Sequence, residues 1–214
     1  KSGNWNVNGW NMLLRPILVL DGNDAYADGK GKEFYLHYLT KESTKYHDAI
    51  PDMVKTYDPV TGLWPESPGY SFGTIQMLLD WAILLKRSGV DIIADNPILQ
   101  KAAMAVFPWM DEAANMVVFG DSRGGSASFL TFENLLTYYT QTANQKGVES
   151  TAVALNKGLQ LGKYSRSNAD WTGICTYTST IPAITVENNE RTSYSPHHRF
   201  ITMKNWNAPF KMMA

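Results

Sequence analysis

Hydrophobic periodicity changes character once along this chain, and no other feature constrains the fold as much. From residue 5 to about residue 162 apolar side chains recur at helical spacing, whereas from residue 183 the stretches ITVENNERTSYS and HHRFITMKNW read as strands. A long run of helices followed by the beginning of a β region predicts a mainly α fold. Within the run, residues 5–20 form a first helix that Pro16 should kink or end. Residues 32–55 read as a second helix bearing Phe34, Leu36, Tyr38 and Leu39. Residues 56–69, rich in proline and glycine, form a long loop. Phe72, Ile75, Leu78, Leu79, Ala82 and Leu85 then share one face of a helix over 70–88, which Gly89 stops. Further helices are expected over 98–115, 128–145 and 150–162. Loops of 8–15 residues between them suit antiparallel hairpins in a toroid or solenoid better than a tight four-helix bundle. No repeat of fixed period is visible.

Composition narrows the functional classes. The 214 residues are 44% hydrophobic, and seven Trp and eleven Tyr add bulk for a sizeable core. A net charge of −1, spread along the chain, carries no footprint for nucleic acid or an anionic membrane, though a local basic groove for an acidic ligand is compatible with it. The single Cys175 excludes an internal disulfide and a multi-cysteine metal site. Nothing approaches the apolar run of roughly 20 residues that a membrane span needs. His37, His47, His197 and His198 lack metal-ligand spacing, so no metal or cofactor is expected. Lys1 leads straight into a Trp/Asn-rich segment and the chain closes on FITMKNWNAPFKMMA, so we expect a piece of a longer protein.

Gly69-Tyr70-Ser71-Phe72-Gly73 satisfies the G-x-S-x-G pattern of a nucleophile elbow, and the order Ser71, Asp121, His198 mimics a hydrolase triad. The preceding TGLWPESP cannot be the buried strand that an elbow requires, and alternating β and α units are missing. Ser71 and Ser67 are therefore expected to cap or flank a helix start. Asp121, in a Gly-rich loop, reads as structural. Tyr70 sits at a loop-to-helix junction beside Trp64 and Glu66, where it reads either as catalytic or as a partly buried packing residue. Glu66 and Asp58, eight residues apart on the loop, raise a rival reading as a glycoside hydrolase's carboxylate pair, while Glu66 could equally serve its own loop.

GNWNVNGWNMLL (3–14), TGLWPESPGYSFGT (61–74), VVFGDSRGG (117–125) and ERTSYSPHHRFITMKNW (190–206) together resemble the heparinase II/III-type polysaccharide lyases. The resemblance implies an incomplete (α/α) toroid over 1–182, the C-terminal half of a longer toroid, leading at 183–214 into the first strands of an antiparallel β-sandwich. It implies β-elimination at a uronic acid within an acidic polysaccharide, in the periplasm or outside the cell. The C5 proton is too weakly acidic while the neighbouring carboxylate is anionic, so a hydrogen-bonding group must neutralise that carboxylate. Asn4, Asn6 and Asn8 are candidates, with Asn4 and Asn8 on one face if the helix reaches that far forward; N-capping is the alternative role.

By the same resemblance Tyr70 is the acid toward the leaving oxygen and, with a cation to lower its titration, the base as well. Arg199, His197 or His198 could supply that cation. The adjacent histidines point to opposite faces of a strand, so one of them at most faces a cleft, with His198 favoured. Trp5, which stands where some members carry a histidine, and Trp64 are the expected sugar platforms, while Trp109, Trp171 and Trp206 divide between core packing and sugar stacking, most of them core. A non-catalytic glycan-binding protein stays open as a further alternative.

Overall fold

Val7, Trp10, Leu14 and Ile17 lie at helical spacing and are all buried, forming the inner face of α1 (Asn4–Leu18). Pro16 sits inside this helix, which stops two residues beyond it. The computed structural model describes residues 3–118, 120, 124–184, 192–197, 199–204 and 212–213. The molecule is mainly helical with a small antiparallel sheet.

The single helix expected over 32–55 is instead α2 (Lys32–Thr40), an irregular stretch, and α3 (Ile50–Met53) with a 3-10 turn over Val54–Thr56. Side chains take over the backbone between them: Thr44 Oγ1 accepts the Tyr46 N–H at 3.1 Å and Ser43 Oγ accepts the Ala49 N–H at 2.9 Å. Hydroxyls that satisfy backbone donors locally compete with helix.

The helix expected over 70–88 is also divided, into α4 (Pro68–Leu79) and α5 (Ala82–Arg87). Between them Trp81 is pinned to α1: its indole N–H donates to Asn11 Oδ1 at 2.6 Å, and the Arg15 guanidinium lies 5.0 Å over its ring. Gly89 ends α5 as expected, at φ +83°, and the Val90 N–H reaches back to the Leu85 carbonyl at 2.9 Å. After α6 (Ile92–Asp95), α7 runs only over Ile98–Met104 instead of to residue 115, and a 3-10 turn containing Pro108 follows.

α8 (Leu130–Gln141) and α9 (Gln145–Gln160) are joined by three residues, and α9 starts ahead of the expected residue 150 because Asn144 Oδ1 accepts the Gly147 N–H at 3.0 Å. A Cβ on Gly147 would meet the Tyr139 ring, and one on Gly158 the Phe129 ring, so the two helices run antiparallel in close contact. Asp170 caps α10 (Trp171–Thr176), and the chain then leaves helical structure.

α4 packs on α1, α7 and α8 and gives Phe72, Ile75, Leu78 and Leu79 to the core. Phe132 of α8 is its hub, with ring centroids at 5.4 Å from Phe107, 6.1 Å from Phe129 and 6.2 Å from Phe72. The strands β1 (Thr192–Ser195), β2 (Phe200–Lys204) and β3 (Met212–Met213) form one antiparallel sheet in that order, with Ser195 opposite Phe200 and Thr192 opposite Met203. Ser195 and Thr202 are buried, whereas Tyr194, Ile201 and Met203 face outward.

Candidate functional site

The loop that leads to α4 is built around a buried carboxylate. Asp58 Oδ1 accepts the N–H groups of Val60 at 2.7 Å and Thr61 at 3.1 Å; Oδ2 accepts the Ser195 hydroxyl and the His197 N–H at 3.2 Å. Burial alone would raise its titration, but these hydrogen bonds from Ser195, Val60, Thr61 and His197 outweigh it and hold the carboxyl below its ordinary range. Asp58 is thereby removed from the rival carboxylate pair. Its acceptor sites are filled by the fold. Gly62, at φ +79°, lets the loop lie on α7, since a Cβ there would fall 2.7 Å from the Ala102 backbone.

Beyond Gly62, Trp64 turns inward and is only 1% exposed, with its ring edge-on to Tyr57 at 4.9 Å. Its indole N–H donates to Glu66 Oε2 at 2.7 Å, and its backbone N–H donates to Ser71 Oγ at 3.2 Å. One expectation is corrected here: Trp64 is a packing residue with no ring face free for a sugar. Ser67 and Ser71 stand at the start of α4 as expected, and Ser71 fastens the loop to the helix. Ser67 occupies the N-cap position without a side-chain cap bond, and its hydroxyl is buried without a partner among the described residues. Glu66 serves its own loop.

Tyr70, in the first turn of α4, keeps 41% of its surface exposed. Among the described residues it makes no hydrogen bond or ring contact with His197 or Arg199. Arg199 lies exposed on the β1–β2 connection with φ +58°. On α1 the helix does reach Asn4, so Asn4 and Asn8 share a face, both half-buried, and neither caps the helix, whose N-cap position is Gly3. Asn6 is spent on the fold: its amide donates to the Asp48 carbonyl at 3.0 Å and accepts the Asp48 N–H at 3.2 Å. Trp5 is 81% exposed. His198, Asp121 and Trp206 lie outside the described residues. Trp109 is buried and Trp171 exposed.

The structure also brings His197, a residue the sequence singled out, together with two lysines that it did not. Lys55, Lys101 and His197, from the 3-10 turn, α7 and the β1–β2 turn, line one open cleft floored by Pro59, Pro97 and Ile98. The residues are far apart in sequence, so no motif announces the grouping. Elsewhere Asp80 is pushed up to about 6 by burial first and then by the charge of Asp170, with Arg15 opposing. Glu133, fully buried on α8, is held by Arg166 through two bonds of 2.6 and 2.7 Å and by the Tyr164 hydroxyl, a pairing that fixes the segment after α9. Among the described residues no cluster of His, Cys, Asp or Glu could hold a metal ion, and no helix is long and apolar enough to cross a membrane.

In chemical terms, the polar groups left open by the described residues of the motifs include a phenol at Tyr70 and two carboxamides at Asn4 and Asn8. Compared with known proteins, the chain matches no family model, no curated protein and no solved structure.

Proposed function

We propose that the chain is part of a polysaccharide lyase of heparinase II/III type, built on an incomplete (α/α) toroid leading into a β-sandwich and acting on a uronate polymer in the periplasm or outside the cell. One observation carries this reading. Within the motifs that resemble the lyases, the fold consumes Asn6, Trp64, Glu66 and Ser71, yet leaves the Asn4 and Asn8 amides and the Tyr70 hydroxyl open. Those are the groups an elimination needs. The antiparallel α8–α9 hairpin suits a toroid, and the outward apolar face of the sheet suits a second sheet packed against it.

In the reaction, Asn4 or Asn8 hydrogen-bonds the uronate carboxylate and stabilises the charge that develops when a base removes the C5 proton. The C5–H electron pair forms the C4–C5 double bond, the C4–O bond breaks, and the departing oxygen takes a proton from Tyr70. Tyr70 acts as acid and, with His198 assisting, as base. Asn amides donate to the carboxylate without adding a competing acid.

The test is ultraviolet absorbance of the conjugated double bond while the protein is incubated with a panel of uronate polysaccharides. Absorbance should rise with one polymer, and Tyr70→Phe should lower turnover by on the order of 100-fold or more with unchanged circular dichroism. Sugar release without that absorbance would replace elimination with hydrolysis, and unchanged turnover in Tyr70→Phe would remove the tyrosine from the chemistry.

A further inference from the structure

From the cleft that Lys55, Lys101 and His197 line, and from its continuation along α7, we infer a second, non-catalytic groove that holds an extended acidic glycan chain. The inference rests on the reading of the protein as glycan-active, and Tyr70, Asn4 and Asn8 do not line the groove.

Shape, charge and the make-up of the lining all point the same way. Lys101 lines two depressions at once, one shared with Lys55 and His197 and the other with Thr61, Phe107 and Ser193, so the two adjoin at its side chain and together reach from the helices to the sheet. A linear polymer fits two adjoining depressions better than a compact ligand does. The groove is lined by two ammonium groups and an imidazole, and no carboxylate lines either depression among the described residues. Asp52 pairs with Lys55 from outside the lining, and that lysine side chain is 74% exposed. Lys101 gives one N–H to the Pro59 carbonyl at 2.8 Å, and an ammonium has three to give.

Pro59, Pro97, Ile98 and Phe107 add apolar surface to the lining beside the cations. A sugar ring presents C–H faces to such a surface and its carboxylate or sulfate to the cations, whereas a polyphosphate presents charge throughout. With a net charge of −1, the whole chain does not attract polyanions indiscriminately, so the groove is a local feature.

The experiment is calorimetric binding of heparin and alginate oligosaccharides to the Tyr70→Phe protein, which keeps the polymer intact. The comparison is with the same protein carrying Lys55→Gln and Lys101→Gln, and separately Lys101→Arg. One of the two glycans should bind, more weakly at higher salt. The double glutamine change should weaken it by at least about tenfold for each lysine replaced, while Lys101→Arg keeps most of the affinity. Thermal melting shows whether each variant is folded, and the arginine variant keeps the test decisive if the double variant is not. Equal binding by the double variant would overturn the groove, as would binding of neither glycan. Equal affinity for a polyphosphate of matched charge would overturn its assignment to glycans. Elimination activity in the unsubstituted protein is read separately, so a working lyase with an unchanged double variant refutes the groove alone.

Discussion

Asp80 closes α4 with its carboxyl partly withdrawn from water, facing the charge of Asp170 and opposed by Arg15. Burial and the neighbouring carboxylate both favour the protonated form, so the folded protein holds this proton up to about pH 6 while the unfolded chain releases it near the ordinary value of 3.8. Between those two values the native state binds the extra proton, and stability therefore falls as pH rises through the window. At neutral pH the ionised group costs on the order of 1–3 kcal/mol. Asp80→Asn, isosteric and uncharged, should raise the melting temperature by several degrees at neutral pH, match the wild type near pH 4, and abolish the decline between those points. Melting curves across pH would read this directly, and a variant with the wild-type slope would refute it. At this scale the sequence was partly legible. Tyr70 at a loop-to-helix junction could be picked out because proline and glycine mark such junctions. That Asn6 is taken by Asp48, 42 residues away, and Trp64 by its own loop could not, since periodicity reports which face a residue occupies and never which partner it meets.

Among the elements, the α8–α9 hairpin depends on absent side chains. A Cβ on Gly158 would stand 2.7 Å from the Phe129 ring, which is 1% exposed and packed against Phe132. In an isolated helix Gly→Ala gains up to about 1 kcal/mol. Here overpacking, typically about 1–3 kcal/mol, is the larger effect because the contact is with the root of a ring that has nowhere to move. Gly158→Ala should therefore lower the urea midpoint, and a raised midpoint would mean that the hairpin is looser than its geometry indicates. The existence of most helices was legible from spacing, but their ends were not. Local hydroxyls at Ser43 and Thr44 broke one expected helix, and the indole of Trp81, anchored on α1, divided another. Asn144 started α9 earlier than its apolar pattern did. In each case a polar side chain decides the boundary while the apolar pattern that defines the face runs on past it.

At the scale of the whole molecule, one carboxylate joins the helical body to the sheet. Ser195 and His197 meet Asp58 across 137 and 139 residues of sequence, while Val60 and Thr61 bind the same group locally. The tie falls on the inward face of the sheet, where Ser195 and Thr202 are buried. Asp58→Ala leaves three backbone N–H groups and one hydroxyl without their acceptor in a site where Asp58 is 0% exposed, a loss on the order of 3 kcal/mol. The loss should be uneven. Backbone amides of Thr192–Ser195 should lose hydrogen-exchange protection well before those of α8 and α9, which pack mainly on each other. A uniform loss would mean that sheet and helices unfold as one unit, with the carboxylate only one contact among many. The pH dependence has the opposite sign to that of Asp80. The folded carboxyl titrates below its ordinary value, so the contribution is complete above the ordinary carboxylate range and is lost as pH falls through the folded value. Acid should therefore release the sheet first in the wild type, and Asp58→Ala, already released, should show no such step in the same amides.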